Sequence, residues 1–153
     1  YAPGNKLTWA ATGSLQVSVL QAEEKHVFTL MVGVTAGGVA LPFQAIYSGK
    51  SKQSLPSEDS PFCKAACNCN IEFVFSGNTT YLSTHKTMHQ YVNDILILYI
   101  EATKRELGIP DNQKTLWSID VWAVHLSKEF QDWMHKMHPN IILDYIPGGC
   151  TSV

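Results

Sequence analysis

The stretch over residues 85–107 most constrains the fold of this chain, because it predicts one long amphipathic helix in the middle of the sequence. Thr84 is a suitable N-cap, and Gly108 followed by Pro110 predicts where the helix ends. Apolar residues recur at spacings of three and four, the period of a single helix face; they are Met88, Tyr91, Val92, Ile95, Tyr99 and Ala102. A helix with one apolar face must pack it against another layer, so the rest of the chain has to supply that layer.

The residues before this helix predict strands. Residues 15–20 alternate between apolar and polar side chains, and residues 27–35 and 39–47 are rich in β-branched and aromatic residues. A short Ala-Gly-Gly turn joins the last two segments, which predicts a hairpin. Pro42 restricts its strand to an edge, a strand end or a bulge, because proline cannot donate to a sheet ladder. Ile71–Phe75 is one more short strand candidate.

The residues after the helix predict a strand, a helix and a strand. Residues 115–121 form the first strand, Ser127 caps a helix that ends near His138, and residues 140–146 form the second strand. The apolar face of the later helix comprises Phe130, Trp133, Met134 and Met137. Antiparallel strands followed by crossover helices indicate an α/β fold.

Length, charge and hydropathy narrow the classes of function. The chain has 153 residues, which is enough for one domain. Its formal net charge is −2, so it lacks the overall basic charge that is typical of nucleic-acid-binding domains. Any DNA contact must then be local. The loop with Lys50, Lys52 and Lys64 is a candidate, although an ordinary solvated loop is the preferred interpretation. No apolar run has the ~18 residues of a membrane span. The first residues do not resemble a signal peptide, and they suggest a start within a domain.

Three of the four cysteines lie close together in the sequence. Cys63 and Cys67 form a C-x3-C pair, and Cys69 follows as C-x-C. Zinc sites usually combine two such pairs, or one pair with histidines at matching spacing, and no partner pair is found here. Free thiols are the favoured interpretation, and zinc binding by these residues stays open.

The candidate for chemistry is the segment that joins Asp120 to His125. A predicted buried strand ends at Asp120 and a loop follows at once, which is where α/β proteins place catalytic or metal-binding carboxylates. A lone aspartate after a strand is more often a structural cap, so the residues alone favour that role. Trp122 lies between the two, and we expect it either to line bound DNA or to clamp the loop.

The ordered series of segments resembles the DDE superfamily endonuclease domain of pogo-like, mariner-related transposases of the fungal type. The segments WSIDVWAVH, SKEFQDWM and HPNIILDYIPGGCT carry the resemblance near the C-terminus. Upstream, LTWAATGSLQV and HVFTLMVGVTAGGVALPFQAIYSGKSKQSLPS are similar to the early strands of the family, and THKTMHQYVNDILILYIEATKRELGIPDNQK is similar to its helical segment. The resemblance covers residues 1–153 as one partial domain.

This resemblance implies an RNase H-like mixed sheet, with an antiparallel meander, then parallel strands, and flanking helices. It implies a nuclear, DNA-binding enzyme in which three carboxylates hold two Mg²⁺ or Mn²⁺ ions for phosphodiester cleavage and strand transfer. Asp120 matches the second of these carboxylates and would be a metal ligand. His125 matches a histidine that often follows it, with a role in positioning water, phosphate or the aspartate.

The sequence departs from the family pattern in its carboxylates. By the resemblance, the first is expected before Tyr1 and the third after Val153, and Asp144 matches neither. Asp144 is expected to face solvent or to pair with a lysine. The alternative function is a catalytically inactive transposon remnant or a host-adopted DNA- or protein-binding module. A sheet without its first strand exposes an edge, so the chain is also expected to be marginally stable or to self-associate.

Overall fold

The structure is a computed structural model that describes residues 28–61 and 63–148. The predicted strand over residues 15–20 lies outside the described residues. The described elements are, in chain order, β1 (Phe28–Met31), β2 (Phe43–Tyr47), a 3₁₀ turn (Lys52–Ser54), α1 (Cys63–Asn68), β3 (Ile71–Phe75), α2 (His85–Tyr91), a π-helical segment (Val92–Ile97), α3 (Leu98–Leu107), β4 (Thr115–Asp120), α4 (Ala123–Leu126), α5 (Lys128–Met137) and β5 (Ile141–Ile146).

The first three described strands form one mixed sheet in the order β1-β2-β3. β1 and β2 pair antiparallel with Phe28 opposite Tyr47, which confirms the predicted hairpin. β3 pairs with β2 in parallel. Both hairpin strands are shorter than predicted, because only the isolated Val34–Ala40 bridge continues the pairing towards the turn. Pro42 directly precedes β2, so its missing N–H costs the ladder nothing, as predicted for a strand end.

The hairpin packs on the long helix through a close approach at Gly33. A Cβ atom at this position would collide with the hydroxyl of Tyr91 and with the side chain of Leu41. Burial against the core raises the pKa of Tyr91 above its ordinary value. A larger residue at position 33 would therefore have to displace the Tyr91 hydroxyl, since the segment after β1 lies close to the helix.

The long helix begins and ends where the sequence predicts. Thr84 forms a capping box with Thr87 at the N-terminus, and Gly108 adopts the left-handed conformation with φ 64° at the C-terminus. Its middle is a π-helical segment, Val92–Ile97, which the sequence pattern does not predict. A π turn holds one more residue than an α turn, so the face that points to the core shifts along the sequence.

This shift corrects one predicted core position. Ala102 is exposed, whereas Leu96 and Lys104, which an uninterrupted α-helix would place beside the predicted face, are buried. The prediction assumed a constant period of 3.6 residues, and the π segment changes the phase after Ile95.

The last two strands form a separate parallel sheet. β4 and β5 pair with Thr115 opposite Ile141 and Asp120 opposite Ile146. One face packs against the helices and the other is exposed, so burial alternates along both strands. Ser127 caps α5 as predicted, but Met137, predicted for the apolar face of this helix, is 56% exposed. It lies in the last turn of α5, where the helix runs past the core.

The main core cluster lies around the helices, and Met31 of β1 packs against it. Its buried apolar members come from the long helix, α5, β4, β5 and the hairpin turn; they are Leu41, Met88, Tyr91, Val92, Ile95, Leu96, Ile119, Phe130, Met134 and Ile141. The predicted α/β class is confirmed as a small mixed sheet and a parallel sheet with helices. Among the described residues, no helix is both long and apolar enough to cross a membrane.

Candidate functional site

Asp120 is the last residue of β4, and its side chain lies on the exposed face of the parallel sheet. The alternating burial of β4 sets this orientation: Ile119 points into the core, so Asp120 must point away from it. The Asp120 side chain is 70% exposed. The strand therefore delivers a solvent-accessible carboxylate at its C-terminal end, as the sequence predicts.

His125 is brought to Asp120 by a short helix that the sequence analysis treated as a loop. Helix α4 follows β4 after Val121 and Trp122, and it turns the chain back so that His125 faces the strand end. The His125 Nδ1 atom lies 2.8 Å from Asp120 Oδ1 and 3.0 Å from the Asp120 carbonyl oxygen. The two predicted site residues are thus in direct contact.

Burial fixes the His125 ring in this position. Its side chain is 8% exposed, and its Nε2 atom lies 3.4 Å from the sulfur of Met88 on the long helix. The Tyr145 hydroxyl of β5 donates a 3.0 Å hydrogen bond to the His125 carbonyl and holds the backbone of α4. In this position the His125 Nδ1–H donates to Asp120. The ring thereby holds one carboxylate oxygen, Oδ1, and the other oxygen faces solvent.

A second carboxylate shares the exposed face of the parallel sheet. Asp144 on β5 is paired in register with Ser118, whose hydroxyl donates a 2.8 Å hydrogen bond to Asp144 Oδ2. Asp144 faces solvent, as predicted, and the alternative of a lysine partner gives way to this serine. It is level with Ser118, two residues before Asp120, and so lies on the same side of the sheet.

The chemistry of this site is that of an oriented carboxylate. An exposed oxygen of Asp120 is a hard ligand of the kind that Mg²⁺ and Mn²⁺ prefer. Within residues 28–61 and 63–148, no three or more His, Cys, Asp or Glu side chains converge as a metal site. Asp120 therefore fits one ligand position of a divalent ion, with water or a bound phosphate completing the coordination.

Among the described residues, no other aromatic or histidine side chain hydrogen-bonds to Asp120. Trp122 is the N-cap residue of α4 and is partly exposed beside Asp120, whereas His135 lies exposed on α5. His138 ends α5 and its Nε2 atom lies 3.2 Å from Asn93 Oδ1. A cavity of about 530 Å³ lies at the opposite end of the parallel sheet, near Thr115, and does not include Asp120.

A polar cluster at the start of α5 was not predicted from the sequence. Ser127 Oγ lies 2.8 Å from His85 Nε2, and His85 Nδ1 lies 3.3 Å from Glu129 Oε2. This arrangement has the order of a serine–histidine–acid triad, but the Ser127 hydroxyl already donates to the Val124 carbonyl at 2.7 Å. A hydroxyl whose proton is committed elsewhere is not activated by the histidine, so the cluster links the two helix N-termini structurally.

Comparisons with known proteins give no relative for this chain. No protein-family model, no curated protein and no solved structure matches it. The function therefore has to be argued from the residues and from the geometry of the site.

Proposed function

We propose that this chain is a transposase-derived nucleic-acid-binding domain of RNase H-like fold. Its ancestral activity would be Mg²⁺-dependent cleavage and strand transfer of DNA, in the nucleus. The observation that carries the proposal is the Asp120–His125 pair, because a buried histidine holds an exposed carboxylate at the end of a parallel strand.

Asp120 and His125 have different roles in this proposal. Asp120 is the metal ligand, and His125 is a positioning residue that acts through it, since its Nδ1 atom contacts both the side chain and the backbone of Asp120. A bound divalent ion would supply charge neutralisation at a phosphodiester. Val121 and Ile146, which flank Asp120, are exposed, so the carboxylate lies on an open surface.

The fold supports the finer assignment to an RNase H-like domain in two respects. An antiparallel hairpin precedes the long helix, and a parallel pair of strands follows it with a helix as the crossover. The pairing differs from the expectation in two respects: the described strands form two sheets rather than one, and β3 joins β2 in parallel instead of continuing an antiparallel meander. The proposal therefore joins a sequence resemblance to a site at the strand end where that family places its second carboxylate.

The alternative function is a catalytically inactive remnant or a host-adopted DNA- or protein-binding module. Within residues 28–61 and 63–148, no three or more His, Cys, Asp or Glu side chains form a metal site, and one carboxylate cannot hold two Mg²⁺ ions in the geometry that they require. In this alternative, Asp120 and His125 serve only to close the turn between β4 and α4.

Calorimetric titration with Mn²⁺ distinguishes the two functions. We expect the wild-type chain to bind Mn²⁺ and Asp120→Asn to bind at least about tenfold more weakly, a loss of about 1.4 kcal/mol. Asp144→Asn is the matched control, since it removes a carboxylate from the same face of the same sheet. Its affinity should stay within about threefold of the wild type.

Two outcomes would refute the metal-binding role. Either the wild type does not bind Mn²⁺, or both substitutions weaken binding equally, which would indicate a diffuse effect of surface charge. Binding of a short DNA duplex, measured by fluorescence anisotropy with and without Mn²⁺, then decides between the inactive DNA-binding module and a protein-binding one.

A further inference from the structure

Helix α1 carries two thiols on one of its faces. Cys63 and Cys67 are separated by four residues, so they lie one turn apart, with Cβ atoms about 5–6 Å from each other. Both are free thiols; Cys63 is half-buried and Cys67 is exposed. Cys69 is also free, but it follows the end of the helix, where its N–H bonds to the carbonyls of Ala65 and Ala66.

The two helical thiols influence each other. Burial is the largest effect that raises the pKa of the Cys63 thiol, and the neighbouring Cys67 raises it further. Glu58 adds a smaller effect in the same direction. Two negative thiolates side by side repel each other, so a cation placed between them would be stabilised by both.

One side of this thiol pair is apolar. Cys63 and Ala66 line a cavity of about 280 Å³ on the outer face of the three-stranded sheet, together with Phe28, Leu30 and Phe73. The apolar wall limits the access of water to one side of Cys63, while Cys67 stays open to solvent. A shell of this kind lowers the local dielectric and favours soft, weakly hydrated ligands.

We propose that Cys63 and Cys67 form a two-thiolate site for a soft monovalent cation, of which Cu(I) is the biological example. Soft thiolates select Cu(I), and this ion accepts two ligands in a linear arrangement, whereas structural zinc takes four. Metal–sulfur bonds of about 2.3 Å, the length known for zinc thiolates, would place the two sulfurs about 4.6 Å apart, within reach of Cβ atoms one helical turn apart. This inference does not rest on the proposed function.

The binding step is a proton exchange without oxidation or reduction. Two S–H bonds break, two Cu–S bonds form, and two protons are released to the solvent. Copper stays in the +1 oxidation state. Within the described parts of the chain, no third histidine, cysteine or carboxylate joins the pair as a metal site.

The test is a competition titration with Cu(I) under anaerobic conditions, using a chromophoric Cu(I) chelator of known affinity. We expect one Cu(I) per chain, with Cys63→Ser and Cys67→Ser each weakening binding by at least about 100-fold, or about 2.7 kcal/mol. Cys69→Ser is the matched control because it removes a nearby free thiol outside the helix, and it should change the affinity less than threefold. X-ray absorption of the bound ion should give two sulfur neighbours.

Three outcomes would overturn the site. They are an equal loss in Cys69→Ser, wild-type affinity in either helical variant, and a stoichiometry that follows the total number of thiols. Each would mean ordinary binding to exposed cysteines. Circular dichroism of the three variants shows whether each remains folded. If Cys63→Ser fails to fold, Cys67→Ser, which changes an exposed side chain, still decides the result.

Discussion

Asp120 and His125 meet because the chain turns through α4 directly after β4, and because the core holds the imidazole ring between Met88 and the strand end. The Asp120 carboxylate is the exposed partner, and the His125 imidazole is the buried one. This asymmetry makes His125 a support that orients Asp120. The function of the pair can therefore be separated from its structure by substitutions at position 125 alone.

We predict that His125→Asn and His125→Phe differ in their effect on Mn²⁺ affinity. Asparagine keeps a side-chain N–H near the position of Nδ1, whereas phenylalanine keeps the ring and loses the donor. The phenylalanine variant should bind Mn²⁺ at least about threefold more weakly than the asparagine variant, although asparagine leaves more empty volume in the core and costs more stability, about 1–2 kcal/mol. Calorimetry and urea denaturation of both variants measure the two effects. An affinity that follows the loss of stability would contradict the positioning role.

His89 is the residue whose protonation should weaken the fold. Its ring stacks on Trp133 at 3.8 Å between centroids, and its Nε2 atom is buried with no hydrogen-bond partner among the described residues. Burial lowers its pKa below the ordinary value of 6.5, His85 on the same helix lowers it further, and Glu129 on α5 acts in the opposite direction. The pKa of His138 is also lowered, by burial and by the neighbouring His89, whereas Glu101 acts in the opposite direction.

A lowered native pKa means that the unfolded chain binds protons more readily than the folded one. The contribution of neutral His89 to the free energy of unfolding is therefore fully present above the ordinary histidine pKa of 6.5, and it falls as the pH drops below that pKa. We predict that the free energy of unfolding falls less between pH 7 and pH 5 in His89→Phe, which can still stack on Trp133, than in the wild type. Exposed His135→Gln is the control and should retain the full decrease. Urea denaturation at a series of pH values would show equal decreases in all three proteins if His89 has no such role.

Among the elements, the long helix shows how a local irregularity determines which side chains are buried. Its π segment moves the buried positions by one residue, so Lys104 faces the interior. The Lys104 ammonium donates to the carbonyls of Asp111 and Gln113, in the loop that leads into β4. A buried charge with backbone acceptors ties the end of α3 to that loop.

We predict that Lys104→Met destabilises the protein by about 1–3 kcal/mol, because two carbonyls lose their donor while the aliphatic length is kept. Arg105→Met is the matched control, since the neighbouring Arg105 is exposed and makes a hydrogen bond only to the carbonyl of Glu101 among the described residues. It should change stability by less than about 0.5 kcal/mol. Urea denaturation measures both variants, and equal effects would mean that Lys104 contributes through its chain alone.

The positions of the helices and strands were predicted better than the residues of the long helix that face the core, and better than the connections between the elements. The N-cap at Thr84, the end at Gly108 and the cap at Ser127 depend on local chemistry, so they were predicted correctly. The π segment, helix α4 and the parallel pairing of β3 depend on tertiary packing, which no short sequence pattern records. The same division holds at the site, where Asp120 was predicted from its strand but the contact with His125 required α4.

At the scale of the whole molecule, the parallel sheet leaves one face open to solvent. The exposed apolar side chains on that face and beside it are Leu116, Val121, Ile142 and Ile146. Leu116 and Ile142 are opposite each other in register, so they form an apolar patch, which the polar pair Ser118 and Asp144 separates from Val121 and Ile146. Apolar patches on a sheet of two strands are typical sites of association between chains.

We predict that the chain self-associates through this patch. Leu116→Lys should weaken association about tenfold, or about 1.4 kcal/mol, because a charge would be buried between the chains. Leu107→Lys is the matched control, since both leucines are 64% exposed, and Leu107 lies at the end of α3, away from the patch. Sedimentation velocity over a range of concentrations measures the effect. A wild-type chain that stays monomeric and unfolds cooperatively at high temperature would contradict the prediction. An equal effect of the two substitutions would contradict it as well. A selective effect of Leu116→Lys would place the contact on the face that carries Asp120.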